Sequence, residues 1–243
     1  DVLTSRGLGD VYKRQFSELP SITLDIGKQD RSLRCNNFSM LDHDADGDQE
    51  LVLSLGSPYR GFAILDLDSQ GRLVIIKKIR PDEMLVGSGL LYSAVVDYDN
   101  DGYEDLLAIS PEGNTIKAQP FYNIGGIFDS GPLIRKNFEG ISGILHNSFQ
   151  LTDWDADGFK DVLAPFRSGD IIALTLTPAT LVIERVPVQP GPLTQIEIAD
   201  FNQDNYKDLL MLSSDINALT MVSGEDGGME SVRNVMSKVP EEM

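Results

Sequence analysis

The sequence is short of several things at once. It has one cysteine, Cys35, and one tryptophan, Trp154, in 243 residues. A single cysteine excludes an intrachain disulfide and a thiolate zinc cluster. Basic residues are scarce, with 20 Lys and Arg against 38 Asp and Glu, a net charge of −18. A chain this negative repels phosphate backbones and anionic lipid heads, so nucleic acid and membrane surfaces are poor partners. No apolar run approaches the roughly 18 residues of a spanning helix, so no membrane insertion is expected. G-x-S-x-G, G-x-G-x-x-G, phosphate-loop and H-E-x-x-H motifs are all absent. No segment carries a capped 3.6-residue period. What is present is 41% apolar and 24% charged residues, the composition of a globular protein.

Self-similarity organises the rest. A ten-residue phrase occurs four times: DHDADGDQEL from Asp42, DYDNDGYEDL from Asp97, DWDADGFKDV from Asp153 and DFNQDNYKDL from Asp200. Its first positions are 55, 56 and 47 residues apart. Acids fill positions one, three, five and nine in every copy except at Asn202. At this acid content, chance supplies about 0.1 complete phrases in the whole chain, against three observed. Apolar residues alternate into each phrase, as at Phe38 and Met40, and a short apolar run follows each one: Leu51-Val52-Leu53, Leu106-Leu107-Ala108, Val162-Leu163-Ala164 and Leu209-Leu210-Met211. The alternation reads as a strand entering a loop, and the unbroken run as a strand covered on both faces. Further strands are expected at 62–67, 73–79, 171–176, 181–186 and 218–222.

Each unit is thus a strand, an acidic loop and two or three antiparallel strands. The expected fold is all-β, a β-propeller of four blade-like antiparallel sheet repeats, either closed or an open partial propeller. The repeats are placed at 36–86, 87–146, 147–191 and 192–239. Residues 16–35 are expected to form a strand of a preceding blade or to close the ring, through 21–26. Residues 1–15 share no pattern with the rest and read as a non-native leader, and 240–243 as a truncated end, so that the chain is expected to be a fragment.

The phrase has the chemistry of a hard-cation loop. Seventeen acids against two lysines put a net −15 of the −18 into four short segments. Two carboxylates 4–5 Å apart repel by about 3–4 kcal/mol at an effective dielectric near 20. Oxygen-only ligation selects calcium over zinc or copper. Gly47, Gly102 and Gly158 permit the left-handed reversal, with Asn205 the next most tolerant residue. Position seven, at Asp48, Tyr103, Phe159 and Tyr206, is expected to give its backbone carbonyl. An EF-hand is excluded, because it needs a Glu at position twelve and flanking helices. Position twelve here is Leu53, Ala108, Ala164 or Met211.

D-x-D-x-D-G-x-x-D-L between two strands resembles the calcium loop of FG-GAP (VCBS-type) repeats, found in the propeller of integrin alpha chains and in many secreted bacterial proteins. The resemblance spans about 36–239. The Phe-Gly and Gly-Ala-Pro signatures of the family are approached only at Leu55-Gly56-Ser57-Pro58. The resemblance implies ligands at Asp42, Asp44, Asp46 and Glu50, at Asp97, Asp99, Asp101 and Asp105, at Asp153, Asp155, Asp157 and Asp161, and at Asp200, Asn202, Asp204 and Asp208. It implies up to four Ca2+ ions, the fourth held most weakly because of Asn202 and Asn205.

Position two is planar in every copy (His43, Tyr98, Trp154, Phe201) and is expected to pack between blades. Cys35 is expected to be a buried small residue and His146 a surface one. The functional expectation is a non-enzymatic, calcium-stabilised module for adhesion, ligand binding or protein interaction. It is placed outside the cell, at the cell surface or in the periplasm, with a protein or carbohydrate ligand. The alternative is a propeller-based carbohydrate-active enzyme, such as a polysaccharide lyase, or its accessory domain.

Overall fold

The computed structural model describes residues 35–56, 59–82, 90–154, 157–177, 180–188, 191–204, 206–213, 218–225 and 228–236. The strand expected at 21–26, the end segments, Asp155 and Asn205 lie outside the described residues. The fold is all-β: four antiparallel sheets follow one another along the chain, the blades of a β-propeller. The first comprises β1 (Cys35–Leu41), β2 (Glu50–Leu55), β3 (Gly61–Leu67) and β4 (Leu73–Ile79), in that order. The second comprises β5 (Tyr92–Val96), β6 (Asp105–Glu112), β7 (Thr115–Ile124), β8 (Ile127–Ser130) and β9 (Ile134–Asn137). The third has β10 (Gln150–Thr152), β11 (Asp161–Pro165), β12 (Ile171–Leu176) and β13 (Leu181–Arg185). The fourth has β14 (Leu193–Ala199), β15 (Asp208–Ser213), β16 (Ala218–Glu225) and β17 (Gly228–Met236).

Every acidic phrase links the first strand of a sheet to the second, which places all four loops at the same end of their sheets. The second strand is the core of each blade because its side chains serve two neighbours. Leu106 and Ala108 of β6 join the cluster shared with the first sheet, while Leu107 and Ile109 join the one shared with the third. In β11, Val162 and Ala164 face back to the second sheet and Leu163 faces forward to the fourth. Strand side chains alternate, so only a continuous apolar run supplies both interfaces. The first sheet carries a further cluster on its outer face, where Phe38 is 69% exposed. No comparable packing joins the first sheet to the fourth among the described residues.

The second sheet departs from its siblings. β8 pairs the end of β7 and β9 pairs its beginning, so the fourth strand of this blade is broken in two. Gly131 and Pro132 stand at the break, and Pro132 has no N–H to give to the ladder. The side chain of Gln119 spans the gap, donating from Nε2 to Gly131 O at 3.0 Å.

One expectation is overturned and one refined. Cys35 is exposed, not buried, because it begins the edge strand β1, where its thiol donates to Asn37 O at 3.2 Å. His146 is at the surface as expected but only partly exposed. It lies in a 3₁₀ turn, His146–Ser148, with its ring stacked on Tyr92 at 4.8 Å between centroids, and burial lowers its pKa below 6.5.

Candidate metal centre

The described parts of the four loops share a hydrogen-bond pattern, set by backbone conformation. Position four is left-handed at Ala45, Asn100 and Gln203, with φ of 59°, 56° and 64°. Position six follows with φ of 93°, 93° and 92° at Gly47, Gly102 and Gly158, a conformation that favours glycine. In the first two loops this double reversal turns the position-six N–H back onto the position-one carboxylate, Gly47 N to Asp42 Oδ2 at 3.0 Å and Gly102 N to Asp97 Oδ2 at 3.1 Å, and Gly158 N makes the same bond to Asp153 Oδ2 at 3.1 Å. The position-five carboxylate accepts from position seven in all four loops: Asp48 N to Asp46 at 2.9 Å, Tyr103 N to Asp101 at 2.8 Å, Phe159 N to Asp157 at 2.9 Å and Tyr206 N to Asp204 at 2.8 Å.

The result gathers negative charge. One oxygen from each of Asp42, Asp44 and Asp46 lies within 4.8 Å of the others, and the same holds for Asp97, Asp99 and Asp101. No lysine or arginine pairs with these six carboxylates among the described residues. Asp42 Oδ1 is buried with no hydrogen-bond partner, a costly state for a charged oxygen. Burial, then the charges of Asp101 and Asp97, raises the pKa of Asp99. The donor set, three carboxylates close together in each of these two loops and an unsatisfied oxygen on Asp42, fits a hard divalent cation.

Position nine occupies a different place. Asp105, Asp161 and Asp208 are fully buried beneath their loops. Each uses both oxygens as a staple: one accepts from the position-two N–H, the other from the third strand. Asp105 accepts from Tyr98 N at 2.9 Å and Asn123 N at 2.6 Å. Asp161 accepts from Trp154 N at 2.8 Å and Leu176 N at 3.1 Å, and Asp208 from Phe201 N at 2.9 Å and Gly224 N at 3.0 Å. Glu50 accepts from His43 N at 2.8 Å and holds His43 Nδ1 at 2.8 Å. Asp208 Oδ2 accepts a second N–H as well, from Asn202 at 3.3 Å, and Glu50 makes both its contacts through Oε2. Desolvation pushes the Asp105 carboxyl up to about 7, against the opposing pull of the Asn123 and Tyr98 N–H groups.

Position two packs as its neighbours allow. Tyr98 is fully buried in the cluster between the second and third sheets, edge-on to Tyr122 at 6.5 Å. Trp154 joins the cluster between the third and fourth sheets, and His43 lies beside the β7–β8 turn, where a Cβ at Gly126 would come within 3.8 Å of its ring. Phe201 is 45% exposed. Its sheet is the last along the chain to be described. In the fourth loop Asn202 Nδ2 donates to Asp204 Oδ2 at 2.7 Å, an internal donor where the other loops have only carboxylates.

Sequence reasoning missed two residues that border the first two loops, Glu104 and Asn123. Glu104 Oε2 accepts from Asp42 N at 2.8 Å, and Asn123 Nδ2 donates to His43 O at 2.8 Å. Glu104 had a visible signal, since position eight holds Lys160 and Lys207 in the later copies. Asn123 had none, lying in a strand that its proline obscured.

No protein-family model matches the chain, and no curated protein matches it. Among solved structures, the chain is similar to a Bacteroides fragilis protein named as a 6-phosphogluconolactonase, at 13% identity and a TM-score of 0.35 over 78% of this chain and 67% of that one.

Proposed function

We propose that this chain is a calcium-binding propeller module of the FG-GAP type, acting outside the cytoplasm in ligand binding, adhesion or assembly and not in catalysis. The unsatisfied, buried Asp42 Oδ1 amid converging carboxylates supports this reading most strongly. Bound calcium would supply the positive charge that the loops lack, with Asp42, Asp44 and Asp46, and Asp97, Asp99 and Asp101, as the groups that hold it. The third loop offers Asp153 and Asp157 and, from the sequence, Asp155. Ions held at the strand junctions make binding energy into folding energy. Dissociation constants of about 10⁻⁴–10⁻³ M suit extracellular calcium.

A ligand role draws support from a cleft of about 410 Å³ at the end of the second and third sheets opposite the loops, lined by Tyr92, Phe166, Ile141 and Asn114 among others. Among the described residues its lining is apolar and neutral, with Asn114 and Ser142 as polar members, a composition that favours binding over acid–base chemistry. Calorimetric titration with calcium chloride is expected to give two or more sites per chain, and absence of binding would overturn the proposal. Turnover in a screen of acidic and neutral polysaccharides would favour the enzyme alternative.

A further inference from the structure

Loops one and two are joined to each other, and loops three and four lack the parts for such a joint. Glu104, at position eight of the second loop, reaches into the neighbouring blade and accepts the N–H of Asp42, position one of the first loop, at 2.8 Å. Asn123 completes the link. Its backbone N–H holds Asp105, position nine of the second loop, at 2.6 Å. Its side-chain Nδ2 donates to His43 O of the first loop at 2.8 Å and to Glu104 O at 3.1 Å. Its Oδ1 accepts from Gly126 N at 2.9 Å, so the fully buried amide has no spare orientation. Lys77 of the first blade closes the ring by donating to Gly126 O at 2.5 Å.

The corresponding positions elsewhere cannot do this. Position eight is Lys160 in the third loop and Lys207 in the fourth, and an ammonium group accepts no hydrogen bond. The residues that hold position nine there are Leu176 and Gly224, neither with an amide side chain.

We infer that Glu104 and Asn123 couple the first two loops into one cooperative calcium-binding pair, while the third loop binds independently. This rests on the calcium reading above. Ordering the second loop fixes the Glu104 carboxylate and the Asn123 amide. These then hold the first two residues of loop one in place before that loop binds, and a loop already ordered loses less entropy on ligation.

The test is a calcium chloride titration of the ¹⁵N-labelled chain, following the amides of Gly47, Gly102 and Gly158. Each donates to the position-one carboxylate of its own loop, so its midpoint follows calcium at that loop. Asp99→Ala, which removes a ligand from loop two, is expected to raise the calcium midpoint at Gly47 by about fivefold or more and to leave Gly158 unmoved. In an E104K or E104A background, the same Asp99→Ala change is expected to leave Gly47 unmoved. A Gly47 midpoint indifferent to Asp99→Ala in the parent chain, with Gly47 still responding to calcium, would overturn the coupling and spare the calcium reading. If none of the three glycines responds to calcium, that reading fails and the coupling with it.

Discussion

The second and fourth loops are two fillings of one turn. Both reverse through a left-handed residue at position four, and both staple a buried aspartate between position two and the third strand. In the second, three carboxylates converge with no cation among them, and Tyr98 is sealed between two sheets. In the fourth, the Asn202 amide donates to Asp204 and Phe201 is nearly half exposed. The turn is therefore encoded locally, by conformation and short-range hydrogen bonds, and it forms in both chemistries. Charge density comes from composition. Packing at position two comes from whatever blade stands alongside, which the phrase itself does not encode.

The comparison breaks most sharply at position two. Tyr98→Ala empties a fully buried site and should cost about 4 kcal/mol in urea unfolding, whereas Phe201→Ala should cost under about 1 kcal/mol. Equal losses would show that the neighbouring blade contributes nothing. Asp105→Ala strands two buried N–H groups. It should cost about 2–3 kcal/mol, less than two full desolvation penalties because the buried charge is itself unfavourable at neutral pH. Asn202→Asp turns the fourth filling into the second. It should tighten calcium at that loop by about tenfold, or about 1.4 kcal/mol, read by calorimetry.

The smallest effect is on pH. The folded pKa of His146 is depressed by burial, so its contribution is full above 6.5 and is lost as pH falls through the lowered folded value. His146→Phe, which keeps a ring against Tyr92, should flatten that acid limb of a pH-dependent melt.

Much of this was legible in the sequence, for stated reasons. β4, β12 and the two-faced second strands follow from apolar pattern alone, because a blade between two neighbours must be apolar on both sides. β7 was not legible. Pro120 interrupts its pattern, and the strand survives because that residue stands where its outer partner changes from β9 to β8. The position-nine acids were found as part of the phrase, but their staple role was not, since it depends on N–H groups 15–18 residues away. Cys35 was misread because composition gives a residue's usual place, and an edge strand is not the usual place.

The central claim, that these loops exist to hold calcium, is tested most directly by thermal melts of the same protein in millimolar calcium and in excess EDTA. The account predicts a midpoint lower by roughly 5–10 °C under chelation, with the gap narrowed when Asp46 and Asp101 are both changed to Asn. Superimposable melts would contradict it.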